Sequence, residues 1–169
     1  MPVQYDRLAN RLDERYRHQP FPGIQSRLRR LASCSDTNEV LDVGCGAWHW
    51  LSFLSDLPIE LAGIDPSFGM LEKARVRVAA AALVCASAEY IPFRASSFDL
   101  IFCVNGFRHF SDPGKFLRDS RALLRNGGRL AILVLIRTSA LPTGTCTTTL
   151  RVCERGTWHD ICQLGRSSG

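Results

Sequence analysis

Short apolar runs alternate with segments of helical period along most of the chain. The runs are EVLDVG at 39–44, ELAGID at 60–65, ALVCA at 82–86, FDLIFCVN at 98–105 and RLAILVLI at 129–136. Each is nearly continuous in apolar residues and is bounded by turn-forming residues, the pattern of a strand buried on both faces. Between the runs the period changes. Leu8, Leu12 and Tyr16 recur at helical spacing over 4–18, while Arg7, Arg11 and Arg15 make a polar stripe. PFPG at 20–23 ends that segment, and a second helix is expected around 24–33. Residues 50–57 read as a helix that stops before Pro58. Ser67 stands as N-cap to a helix over 68–80, and Asp112-Pro113 opens another that ends near Asn126-Gly127-Gly128.

Strand and helix taken in turn specify an α/β fold: a mostly parallel sheet with helices on both faces. Right-handed crossovers bring the loops after the strands to one edge, where ligands bind. Those loops begin at Gly44, Asp65, Ala86 and Asn105. Beyond Arg137 no period of either kind is sustained, and Thr, Gly, Ser and Cys dominate. The chain therefore divides into a helical segment over 1–36, an α/β domain over 37–137 and an irregular or disordered tail over 138–169.

Composition narrows the partners. A chain of 169 residues supports one domain with a real core. The net charge of +5 comes almost wholly from arginine, since Lys73 and Lys115 are the only lysines. The arginines are dispersed among acids, so no nucleic-acid footprint is expected. The longest apolar run, LAILVLI at 130–136, is too short to span a bilayer, and the first thirty residues hold no apolar signal segment. A cytoplasmic, membrane-free protein is expected. The seven cysteines include no CxxC pair. Cys146, Cys153, His159 and Cys162 match no common zinc spacing, so no metal is expected.

The chemistry concentrates at VLDVGCGAWHW, residues 40–50. A strand runs into Gly44 and Gly46, the beginning of a cofactor loop. A dinucleotide fingerprint needs a third glycine where His49 stands, and a nicotinamide fold usually carries an apolar residue where Asp42 stands. An acid there suits a cofactor with a positive group. Asp65 ends the second strand at a spacing from the glycines that lets its carboxylate accept from both hydroxyls of a ribose.

The series VLDVGCGA, LAGIDPSFGMLEKAR, ASAEYIPFRASSFDLIFCVNGFRHFSDP and LLRNGGRLAIL resembles the class I S-adenosylmethionine-dependent methyltransferases. It is most similar to the small-molecule branch of type 11 that includes ubiquinone and menaquinone biosynthesis enzymes. The resemblance spans 38–136 and implies a Rossmann-like methyltransferase fold, S-adenosyl-L-methionine (SAM) as cofactor and a small-molecule methyl acceptor. By position, Asp42, Gly44 and Gly46 match the motif that cradles the methionine part of SAM. Asp65 matches the ribose acid. Pro66, Ser67 and Met70 match the stretch beside the adenine, and Ser87 and Ala88 fall where the family often has Asp-Ala. Asn105 matches the loop under the sulfonium, His109 a residue facing the substrate, and Tyr5 a lid residue near the cofactor carboxylate. His109 is thereby the candidate general base, needed only where the acceptor must lose a proton.

Three departures stand out. Ser87 replaces a charged adenine partner. Trp48 replaces the motif's third glycine, and its indole is expected to fill the methionine slot. The family's last two strands are expected to be missing, as in a truncated or frame-shifted product. The alternative function is thus a non-catalytic SAM-binding or degenerate fragment.

Overall fold

The computed structural model describes residues 21–78, 81–137 and 146–154. The helix expected over 4–18, with Tyr5, lies outside the described residues. The elements are α1 (Pro22–Ala32), β1 (Glu39–Val43), β2 (Glu60–Asp65), α2 (Phe68–Arg77), β3 (Ala82–Cys85), β4 (Phe98–Val104), α3 (Pro113–Leu123), β5 (Leu124–Arg137) and β6 (Cys146–Glu154). Single 3-10 turns stand at Leu51–Leu54 and Phe107–His109.

Strands pair in the order β3-β2-β1-β4-β5-β6, and β1 to β5 run parallel. The chain starts at the centre, winds outward to β3, then returns to lay β4 against the other side of β1. The carboxyl ends of β1 and β4 therefore flank the switch point, where the loops diverge and leave a crevice.

Alternation along the strands sorts two core layers. Val40, Leu100, Phe102, Ala131 and Leu133 face one side and meet Ile24, Leu28 and Ala32 of α1 with Leu71 and Ala74 of α2. Leu41, Val43, Ile101, Cys103, Leu130 and Ile132 face the other and meet Phe116, Leu117 and Leu123 of α3. The helices begin where their caps dictate. Ser67 Oγ accepts the Met70 N–H at 3.2 Å, and Asp112 Oδ1 accepts the Lys115 N–H at 2.8 Å.

Two expectations need correction. The segment at 50–57 is not an α-helix but a short 3-10 turn followed by bends. Trp50, Leu51 and Leu54 are buried on one face as the helical spacing predicts, but the stretch before Pro58 is too short to build more than one turn. The sheet also continues past β5. β6 pairs antiparallel with it from Arg129↔Glu154 to Arg137↔Cys146, so 146–154 is strand where the sequence reads as irregular tail and no further strand is expected. TTTLRV supplies β-branched residues, but burial against a neighbour, not periodicity, decides such a segment.

Candidate functional site

Three loops meet at the switch point. The backbone turns out of β1 through Gly44 at φ +80° and Gly46 at φ +54°, conformations open to glycine and costly to most other residues. The Gly44 N–H donates to the Ile64 carbonyl at 2.8 Å, which ties the loop to the end of β2. A Cβ on Gly46 would meet no atom within 4 Å, and one on Gly44 only the Gly106 Cα at 3.9 Å. The glycines thus leave open space beside the first residues after β4.

Asp65 organises this loop. Its Oδ2 accepts the Gly46 N–H at 2.9 Å, and its Oδ1 accepts the Ser67 N–H at 2.9 Å. One carboxylate therefore fixes both the glycine turn and the start of α2. Arg77, at the other end of α2, reaches back to donate to the Ala47 carbonyl at 2.8 Å. Met70 packs against Ala47 in a small cluster of its own between helix and loop. Pro66 is exposed beside the buried Ser67.

Asp42 is the anomaly. It is fully buried at the end of β1, and neither carboxylate oxygen has a hydrogen-bond partner. Burial first, and the Asp65 charge second, hold its pKa well above the ordinary carboxylate range. The neighbouring thiols of Cys45 and Cys103 are pushed up by burial and by the Asp42 charge. An unpartnered buried carboxylate is costly unless a cation or donor joins it.

Trp48 departs from expectation. Its indole is fully buried in the core layer shared with Ile24, Leu28, Leu51 and Leu54, rather than filling a ligand slot. Its φ of +74° costs about 1–2 kcal/mol for an L-residue. A buried large aromatic contributes about 3–5 kcal/mol, so packing wins. The indole Nε1 finds no acceptor there. His49, next in sequence, packs edge-on against Trp50 at 4.7 Å and Phe53 at 5.2 Å.

The remaining residues divide. Ala88 is buried in the core layer under α3, so its side chain packs the fold. The Ser87 carbonyl accepts the Tyr90 N–H at 3.1 Å in the turn after β3. Asn105 adopts φ +60°, and its N–H donates to the Leu133 carbonyl at 2.9 Å, anchoring the loop after β4. His109 is exposed on the 3-10 turn of that loop. Partial burial, then the Arg108 charge, hold its imidazole below the ordinary histidine pKa. Glu89 has no place in the sequence reading. Its signal is visible only once the loops after β3 and β4 are in space.

The chain matches the methyltransferase domain family of type 11 over residues 41–132. It is 33% identical over 138 residues to a demethylmenaquinone methyltransferase of Thermotoga maritima, covering 78% of this chain and 60% of that protein. The crystal structure of YcgJ from Bacillus subtilis superimposes with a TM-score of 0.64 at 27% identity, covering 71% of this chain and 53% of the other. The plantazolicin methyltransferase BpumL, solved with S-adenosylhomocysteine (SAH), has the same fold, with a TM-score of 0.63 at 23% identity and coverage of 76% and 53%. The chain belongs to the type 11 methyltransferase domain family. It spans about three fifths of the length of the Thermotoga relative and about two fifths of that of another curated relative, YcgJ of Bacillus subtilis. No helix among the described residues is long and apolar enough to cross a membrane.

Proposed function

We propose that this chain binds SAM and takes part in methyl transfer to a small-molecule acceptor in the cytoplasm. The observation that carries the reading is the buried, unpartnered carboxylate of Asp42 beside the open glycine turn. A cofactor with a cationic group supplies the partner that this carboxylate lacks; a nicotinamide dinucleotide would instead set its anionic pyrophosphate against the glycine turn beside Asp42. The donor set therefore fits SAM.

In this reading Asp42 faces the positive end of the cofactor, and Gly44 and Gly46 admit its methionine part. Asp65 holds the Gly46 and Ser67 N–H groups and accepts from the ribose hydroxyls. Met70 and Pro66 border the adenine, and Ser87 offers a hydroxyl in place of a carboxylate. Tyr5 is assigned to the lid. The sulfonium methyl is electrophilic as bound, so SAM carries the hard chemistry. The protein holds the acceptor in line and excludes water. Asn105 shapes the loop beneath the reacting centre. His109, kept neutral by its lowered pKa, removes a proton from an acceptor that carries one. The dispersed positive charge and the absence of a basic run favour a small molecule over a nucleic acid.

The test is transfer of labelled methyl from SAM to a panel of small phenols, quinols and amines, with His109→Ala alongside. Labelled product that falls with His109→Ala for phenols supports the reading. SAH binding with no product from any acceptor class would leave a binding module and overturn the transfer.

A further inference from the structure

Glu89 sits half-buried in the turn after β3. Its Oε1 accepts the Ser111 N–H at 2.6 Å and the Asp112 N–H at 3.3 Å, more than twenty residues away. Burial opposes ionisation, yet these hydrogen bonds outweigh it and hold the carboxyl below its ordinary pKa. No strand ladder joins the two segments, since β2 and β1 stand between β3 and β4. One charged side chain therefore crosses the loop edge of the sheet. It also places negative charge beside the opening of α3, where Asp112 is the N-cap.

What it holds matters. The segment from Asn105 to Asp112 is anchored at its start by the Asn105 bond to Leu133 and at its middle by Phe107 and Phe110 against Phe116. Glu89 anchors its far end. Arg108 and His109 lie between these anchors, exposed. On the other side, Glu89 lies within the turn that the Tyr90 N–H closes on the Ser87 carbonyl at 3.1 Å, directly after the segment that borders the adenine in the proposed reading.

We propose that Glu89 is a positioning residue that couples cofactor binding at 86–88 to order in the substrate-facing segment 105–112. The proposal rests on the SAM-binding reading above. When the cofactor orders the turn after β3, Glu89 passes that order to Ser111 and Asp112 through two backbone bonds. His109 is then held in place for the acceptor.

Amide hydrogen exchange of the full chain tests this, with the parent, Glu89→Ala and Glu89→Gln, each with and without SAH. Without ligand, Glu89→Ala should speed exchange at Ser111 and Asp112 at least tenfold while β4 keeps its protection. Glu89→Gln, which retains one acceptor oxygen, should lie between. In the parent, SAH should slow exchange across 106–112; in Glu89→Ala, SAH should bind without slowing that segment. Unchanged exchange at Ser111 and Asp112, or acceleration spread equally into β4, would overturn the positioning role. SAH protection of 106–112 that survives Glu89→Ala would overturn the coupling. No SAH binding to the parent would refute the cofactor reading and the coupling with it, while the ligand-free exchange still decides whether Glu89 holds the segment.

Discussion

Replacing Asp65 by alanine removes two things together. In the folded protein its carboxylate accepts one N–H from the glycine turn and one from the start of α2, each at 2.9 Å. Asp65 is 8% exposed, so water reaches the freed donors poorly. A hydrogen bond to a charged group contributes about 1.5–3 kcal/mol, so the two together set a ceiling of roughly 3–6 kcal/mol. Two effects reduce it. The loop relaxes enough to admit some water, and removing the Asp65 charge eases ionisation of Asp42. A loss of about 3 kcal/mol is expected, against a total of about 5–15 kcal/mol for a domain. Urea denaturation followed by circular dichroism measures it as a lower midpoint with unchanged slope. Asp65→Asn keeps one carbonyl oxygen and turns an N–H toward the second donor, so it should lose a large part of the same amount. SAH affinity should also fall at least tenfold, about 1.4 kcal/mol, measured by calorimetry well below the unfolding transition. A stability change under about 0.5 kcal/mol would refute the argument that Asp65 builds the loop. Lost stability with unchanged affinity would confine Asp65 to building it.

Three further outcomes follow from the same geometry. Trp48→Gly should cost about 1–4 kcal/mol of stability, the loss of a buried aromatic less the relief of its left-handed backbone, and should not tighten SAH binding; tighter binding in calorimetry would put the indole in the cofactor slot. Asp42 has a folded pKa raised by burial and by Asp65, so its contribution to stability is complete below the unfolded pKa of about 3.9 and is lost as pH rises through the folded value. The stability of Asp42→Asn relative to the parent should therefore grow with pH across that window in denaturation series, and a difference independent of pH would contradict the burial of an unpartnered carboxyl. His109 should titrate below about 6.5 by NMR, and Arg108→Gln should raise its pKa only in part because burial is the larger cause; full recovery on removing Arg108 would reverse that order.

The parts of the fold legible in the sequence are those set by local chemistry. ELAGID is a strand over its whole length, and Ser67 and Asp112 cap the helices their positions specify. Asp65 and the two glycines were readable because a tight turn and a strand-end acid leave fixed spacings. The rest depended on what lies opposite in space. Trp48 stands at a position where the motif favours glycine, yet its indole follows the core that α1 and the 3-10 turn provide. Ala88 is adjacent to a motif position but packs beneath the sheet. β6 exists because β5 offers an unpaired edge, which periodicity within 146–154 does not encode. Glu89 acts across twenty-two residues of sequence, and only the sheet order brings its partners within reach.

The central claim is that the turn between β1 and β2 receives a cationic SAM-type cofactor. Isothermal titration of the full chain with SAM, SAH and NADH tests it most directly. The expected result is saturable one-site binding of SAM and SAH, weakened by Asp42→Ala and by Asp65→Ala, with no heat from NADH. A folded chain that binds NADH but neither SAM nor SAH would contradict it.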